Sequence, residues 1–249
     1  MTAKVLIITG DGVNCESETA LAFSSVGMKT HIMQINDLMD NPQVIHDYQC
    51  MALPGGFSFG DDLGSGKVFS LKIKMILGEE IENFIKSAKP IIGICNGFQV
   101  LCSLGIFDQE QFNVALDHND NGHFLNRWEY VKVNSNHCVW TRGINKMRLP
   151  IRHGEGKFIF SKNHESSIEK QLNDFSDNKL VAMTYENNPN GSYGDIAAIT
   201  DKTGLVFGLM PHPEAARELW LYPGKKLGDN ETLGLEIFKN VKKYIEETL

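Results

Sequence analysis

Cys95 stands between two glycines, in Gly93-Ile94-Cys95-Asn96-Gly97, where the apolar run Pro90 to Ile94 gives way to apolar residues at helical spacing, Phe98, Leu101 and Cys102. The pattern predicts a strand, a sharp turn and a helix, with small neighbours that let the chain bend and expose the thiol. Free backbone N–H groups at the first turn of that helix favour the thiolate and so activate a cysteine near neutral pH. A buried core cysteine is the competing reading. A thiol nucleophile needs a base, and the base needs a third group to orient it. Pro211-His212-Pro213-Glu214 offers both: the prolines hold His212 extended and Glu214 follows two residues on, although a histidine between prolines also suits a rigid turn. Gly55-Gly56 could bring a backbone N–H close to a ligand, and Asn96 offers its own N–H from the helix start. Together they could form an oxyanion hole, or the glycine pair could be a plain tight turn. Arg152-His153-Gly154-Glu155-Gly156 reads as a polar, glycine-spaced loop, either functional or a solvated turn.

These residues need a scaffold that delivers them to one edge. Val5–Thr9, His31–Ile35, Cys50–Leu53, Pro90–Ile94 and Leu205–Met210 read as apolar strands. Helices are expected from about Cys15–Glu16 to a stop at Gly27, across Val68–Ala88, after Cys95, and from about Glu231 to the end. This alternation implies an α/β fold with a doubly wound, mostly parallel sheet, whose sites lie beyond the carboxyl ends of the strands. Phe107–Pro150 is polar and alternating, with strands at Trp128–Val133 and Cys138–Trp140, and predicts an added antiparallel segment. Lys179–Tyr185 and Ile196–Thr200 are two further strands, joined by the turn formers Asn187–Ser192. The turn Gly10-Asp11-Gly12 does not complete a dinucleotide-binding fingerprint.

A chain of 249 residues with 42% hydrophobic side chains suits one domain, residues 1–249. Its net charge of −7 and lack of long basic runs argue against a nucleic-acid partner. The opening apolar run is too short for a signal peptide and nothing approaches a membrane span, so a cytoplasmic protein is expected. Five cysteines without metal-ligand spacing argue for reduced thiols, and against a disulfide framework or zinc.

GICNGFQ at Gly93–Gln99, PHPE at Pro211–Glu214 and the Gly-Gly loop together resemble the class I, or triad, glutamine amidotransferases. Within that group, Asn14-Cys15-Glu16, GGFSFGD at Gly55–Asp61, FLNRWE at Phe124–Glu129, RHGEG at Arg152–Gly156 and NPNGSYGDIAAI at Asn188–Ile199 resemble the glutaminase subunits of phosphoribosylformylglycinamidine synthases. These motifs span nearly the whole chain. The resemblance implies a flavodoxin-like fold and a glutaminase that splits L-glutamine through a cysteine thioester. The ammonia would pass to an ATP-dependent synthetase subunit of de novo purine synthesis, which turns formylglycinamide ribonucleotide into the amidine. It implies Cys95 as nucleophile, His212 as base and acid, Glu214 as orienting carboxylate, and Gly56 and Asn96 as oxyanion donors. Gln99 would face the glutamine, with Ser58, Arg152, His153 and Glu155 near the substrate or the subunit interface. No metal or cofactor is implied in this chain, ATP and magnesium belonging to the synthetase; a small accessory subunit is a further possible partner. A Leu-Arg-Ala-Gly-like run and an arginine after PHPE are replaced here by Leu63-Gly64-Ser65-Gly66 and Ala215, in the region expected to meet the synthetase. A different triad amidotransferase, or a silent scaffold subunit, are the rival readings.

Overall fold

In the computed structural model, residues 2–110, 112–161 and 166–249 are described. The first 103 residues alternate strand and helix: β1 (Lys4–Thr9), α1 (Glu16–Ser25), β2 (Lys29–Gln34), β3 (Cys50–Leu53), α2 (Lys67–Lys86), β4 (Ile91–Ile94) and α3 (Asn96–Ser103). β3 and β4 are buried at every position, and β1 at every position but its first. Strands covered on both faces need no polar alternation, which is why they read as unbroken apolar runs. Strand β2 is the sheet edge, half-exposed to exposed along its length.

The rest of the chain supplies β5 (Val114–His118), β6 (Leu125–Val133), β7 (Lys146–His153), β8 (Glu155–Phe160), α4 (Ile168–Asp177), β9 (Val181–Tyr185), β10 (Ile196–Thr200), β11 (Val206–Leu209), β12 (Glu231–Thr232) and α5 (Leu235–Thr248). Ten strands form one sheet in the order β12-β7-β6-β9-β10-β11-β4-β3-β1-β2, and β5 pairs with β8 in a separate antiparallel ribbon. Pairing is parallel from β2 through β1, β3 and β4 to β11, and antiparallel from β11 through β10, β9 and β6 to β7. The sheet thus joins a doubly wound half to an antiparallel half, with β11 at the seam. From β1 the chain crosses to β2 on one side, and from β3 to β4 on the other; right-handed crossovers therefore put α1 and α2 on opposite faces. Phe23 of α1 meets Phe238 of α5 edge-on at 4.9 Å and Trp140 at 6.4 Å, which ties the C-terminal helix to the first crossover. No helix among the described residues is long and apolar enough to cross a membrane.

Three local expectations are corrected. Residues 151–158 are the end of β7 and the start of β8, joined at Gly154, where a loop was expected. Their alternating burial is hidden in the sequence by Arg, His, Glu and Lys. Cys138–Trp140 is not a strand, because Val139–Thr141 form a 3₁₀ turn that drives Trp140 into the core, where its indole N–H donates to the Leu205 carbonyl at 2.9 Å. The last helix begins at Leu235, after the short strand β12 adds Glu231 and Thr232 to the edge of β7.

Candidate active site

Four neighbouring parallel strands, β1, β3, β4 and β11, send their following loops to the same carboxyl edge of the sheet. β1 and β3 flank the point where the strand order reverses, which is where doubly wound sheets hold ligands.

After β4 the chain turns at Cys95 with φ 51° and ψ −107°, a conformation that side chains other than glycine rarely adopt. Close packing on every side enforces it. A methyl group on Gly93 would lie 2.6 Å from the Gly97 carbonyl oxygen, and one on Gly97 would run into the backbone of Leu53. The Cys95 N–H donates to the Leu209 carbonyl at 2.8 Å, locking the elbow to β11. Its thiol points to the Arg152 carbonyl at 3.6 Å.

After β11, His212 is fixed by its own N–H, which donates to the Pro150 carbonyl of β7 at 2.8 Å. Its Nδ1 pairs with Glu214 Oε1 at 2.6 Å, with both residues buried. His212 Nε2 is buried without a partner and is free to serve the thiol. Burial by itself, the largest effect, drives the imidazole toward neutrality. Glu214 and the Cys95 side chain outweigh it, so the pKa stands well above the usual histidine value. The arrangement therefore favours an imidazolium beside the Cys95 sulfur.

After β3, Gly55 and Gly56 close on this pair from the other side. A methyl group on Gly55 would lie 2.9 Å from His212 Cε1 and 3.5 Å from Cys95 Cβ, so only glycine leaves room for the ring beside the thiol. The loop after β1 clasps this segment: the Asn14 and Cys15 N–H groups donate to the Gly55 carbonyl at 3.3 and 3.1 Å, and the Phe57 N–H donates to the Gly12 carbonyl at 2.9 Å. A peptide plane carries its C=O and N–H in opposite directions, so fixing the Gly55 carbonyl aims the Gly56 N–H away from the clasp. That N–H has no acceptor among the described residues, and Gly56 lines a cavity of about 150 Å³ with Cys95, Gln99, Arg152, His153 and Glu155.

Ser58 and Gln99 take up different places around the cavity. Ser58 is buried behind the cavity, where its N–H donates to Asn96 Oδ1 at 3.4 Å. Gln99 lines the cavity, but its amide is committed at both ends: Oε1 accepts from Asn96 Nδ2 at 2.9 Å and Nε2 donates to the Glu155 carbonyl at 2.5 Å. It braces the elbow helix against β8. Glu155 Oε2 in turn accepts the Ser65 N–H at 3.1 Å, tying the Leu63–Gly66 loop to the same wall.

His153 is buried, and Asn119 determines its tautomer. The Asn119 amide nitrogen donates to the His123 and His153 carbonyls at 2.9 and 2.8 Å, leaving its oxygen to accept from His153 Nδ1 at 3.0 Å. The proton therefore sits on Nδ1, and Nε2 is a buried acceptor without a partner. Burial, with a smaller contribution from the charge of His212, lowers its pKa to about 4.

Sequence reasoning missed Asp61, Ser65, His118 and Phe124, which complete the cavity wall, and gave Cys15 no role. The sulfur of Cys15 would lie 3.4 Å from that same methyl group on Gly55, beside the His212 ring. Its Asn-Cys-Glu run was visible, but only folding shows what it touches. An adjoining space of about 470 Å³, lined by Leu63, Lys67 and Leu116, shares Asp61, Ser65, Gln99, His118 and Glu155 with the Cys95 cavity. A larger space of about 820 Å³, between Asn134–His137 and α4, contains no triad residue and lies apart from this chemistry.

Residues 2–245 match the family of CobB/CobQ-like glutamine amidotransferase domains. Phosphoribosylformylglycinamidine synthase subunit PurQ of Methanococcus maripaludis (strain S2) is 40% identical, with 98% of each chain covered. The protein of the same name from Dehalococcoides mccartyi is 39% identical, again with 98% of each covered. Among solved structures, a chain of PurLQS from Thermotoga maritima superposes with a TM-score of 0.77 at 29% identity, covering 98% of this chain and 99% of that one.

Proposed function

The chain belongs to the CobB/CobQ-like glutamine amidotransferase domain family, and from that premise we propose how its site works as the glutaminase subunit of a phosphoribosylformylglycinamidine synthase. The observation that carries the reading is the strained Cys95 elbow held against a buried His212–Glu214 pair. The Cys95 thiolate attacks the side-chain amide carbon of glutamine. The carbonyl oxygen becomes an oxyanion that accepts from the N–H groups of Gly56 and Asn96, where fixed dipoles are worth most because they need not reorganise. His212 then gives its proton to the departing nitrogen, releasing ammonia and leaving a γ-glutamyl thioester on Cys95. Water attacks the thioester as His212 takes a proton from it; the carbon–sulfur bond breaks and glutamate leaves. Glu214 keeps the imidazole oriented and stabilises it while charged.

Glu155, Arg152, Gln99 and His153 form the wall against which glutamine lies, Gln99 by holding Asn96 and β8 in register. Ser58 supports Asn96 from behind. The ammonia goes to a synthetase subunit, which converts formylglycinamide ribonucleotide to the amidine with ATP and magnesium; this chain needs no cofactor of its own. A small accessory subunit completes the assembly, and residues 1–249 act as one domain. We assign the chain to the cytoplasm, where its phosphorylated acceptor is made and where its five free thiols stay reduced.

The experiment is Cys95→Ala in the complex with the synthetase. Glutamine-dependent amidine formation is expected to vanish, while synthesis from added ammonia continues at close to the unaltered rate. Glutamine hydrolysis surviving in Cys95→Ala would remove the nucleophile assignment.

A further inference from the structure

Cys15 is one of four thiols for which the glutaminase reaction has no use, and it lies against the reaction's base. Its sulfur, one His212 ring nitrogen and one Glu214 carboxylate oxygen all fall within 4.8 Å of one another. Glu214 retains unused capacity, because its Oε2 has no hydrogen-bond partner, and its Oε1 faces His212 Nδ1 at 2.6 Å, where an ion can replace the proton the two share. Cys15 is half-exposed, and its thiol donates to Asn14 Oδ1 at 3.4 Å and also acts on the His212 ring.

We propose that Cys15, His212 and Glu214 form an inhibitory site for a zinc-class divalent cation, which disables the base when it binds. The chemistry of the donors selects the ion. One thiolate, one imidazole and one carboxylate are the donor types zinc takes, at about 2.3, 2.0–2.1 and 2.0–2.2 Å, with a fourth position left to water. Ligands of one tetrahedral zinc lie roughly 3–4 Å apart, so a spacing of up to 4.8 Å closes with a rotation of the Cys15 side chain. Magnesium prefers an octahedral shell of oxygens and is poorly served by sulfur and imidazole. Charge favours a dication too: a thiolate and a carboxylate neutralise it where an unpaired charge is costly. Binding releases the Cys15 thiol proton and the proton that His212 shares with Glu214, and involves no oxidation. It occupies the imidazole that Cys95 needs, so the ion acts as a brake and not as a cofactor. The sequence hides this site because the ligands are separated by nearly 200 residues and share no metal-binding spacing.

The inhibitory consequence rests on the glutaminase reading, whereas binding itself does not, and the test separates them. Cobalt(II) is added to the Cys95→Ala chain, in which the nucleophile's sulfur is gone, and the thiolate-to-cobalt charge-transfer band is recorded. One cobalt per chain is expected, with the band kept in Cys95→Ala, lost in Cys15→Ala and in Cys15→Ser, and bleached by zinc. In the second arm glutamine hydrolysis is titrated with zinc, each variant against its own metal-free rate. Cys15→Ala and Cys15→Ser should need at least tenfold more zinc for half inhibition, and millimolar magnesium should not inhibit. A band that survives removal of Cys15, or equal zinc sensitivity with and without it, overturns the proposal. A chain that shows the band but never hydrolyses glutamine overturns the glutaminase reading and leaves the metal site standing.

Discussion

Two buried imidazoles lie a few residues from Cys95 in space, and their surroundings push them in opposite directions. His212 has a carboxylate on Nδ1 and is held protonated; His153 has an amide oxygen there and is held neutral. Replacing the carboxylate by an amide removes the charge that sustains the imidazolium. Glu214→Gln is therefore expected to lower kcat roughly 10²–10⁴-fold while changing KM little, as measured by steady-state hydrolysis; a change confined to melting temperature would make the pair purely structural. His153 carries a pH dependence of known sign. Its folded pKa of about 4 lies below the unfolded value near 6.5, so between those pH values the unfolded chain holds a proton that the native chain lacks. This contribution to stability is complete above about pH 6.5 and fades as the pH falls towards 4, by up to roughly 3 kcal/mol. Urea unfolding at pH 7 and pH 4.5 should show a smaller loss for His153→Asn than for the unaltered chain. At this scale the triad was legible from the sequence, since an elbow and a Pro-His-Pro-Glu run are local patterns. The tautomer of His153 was not, because Asn119, which determines it, is 34 residues away and sits in an unremarkable turn.

The elements hold the elbow by contact too close for any added atom, and glycines mark the places. A methyl group on Gly208 of β11 would enter the ring of Phe98, whereas one on Gly78 of α2 would meet only the Lys74 side chain at 3.9 Å. Gly208→Ala should therefore destabilise by about 1–3 kcal/mol through overpacking, and should slow hydrolysis because Phe98 shifts α3. Gly78→Ala should stabilise by about 0.5–1 kcal/mol, since alanine loses less entropy on entering a helix. Thermal melts of the two variants check the contrast, and a stable Gly208→Ala would undo the packing argument. The parallel strands were legible for the same reason that they are rigid: burial on both faces leaves nothing but apolar side chains. The β5–β8 ribbon was not, because Asp117, His118, Glu155 and Lys157 interrupt its apolar alternation. Trp140 misled in the other direction, a bulky apolar residue that fills the core from a turn.

At the scale of the whole molecule, Cys95, His212 and Gly56 follow strands of the parallel half of the sheet and Arg152 and His153 end a strand of the antiparallel half, but the rim they share is unfinished. Phe57 and Phe124 stand at the mouth of the Cys95 cavity, 48% and 51% exposed, with ring centroids 6.2 Å apart, and Leu63 nearby on the loop that Glu155 ties down is 66% exposed. Clustered aromatic side chains left in water mark a surface that another protein covers. Phe57 also directly follows Gly56, so pressure on the rim bears on the oxyanion peptide. Among the described residues, the hydrogen bonds that hold that peptide in place are those with the Gly12–Cys15 loop, and a small rotation carries the Gly56 N–H into or out of line. Losing one such donor costs on the order of 3 kcal/mol of transition-state stabilisation, or about a hundredfold in rate. Ammonia made without an acceptor wastes glutamine, so the chain alone is expected to hydrolyse slowly. Adding the synthetase with nucleotide and formylglycinamide ribonucleotide should raise the rate by about that factor. Substituting Phe57 and Phe124 together by alanine should shift the activation curve to higher synthetase concentration, with each rate read against the variant's own rate without synthetase. Equal rates with and without the synthetase would show that the oxyanion peptide is already in place in the free chain, and that control lies elsewhere.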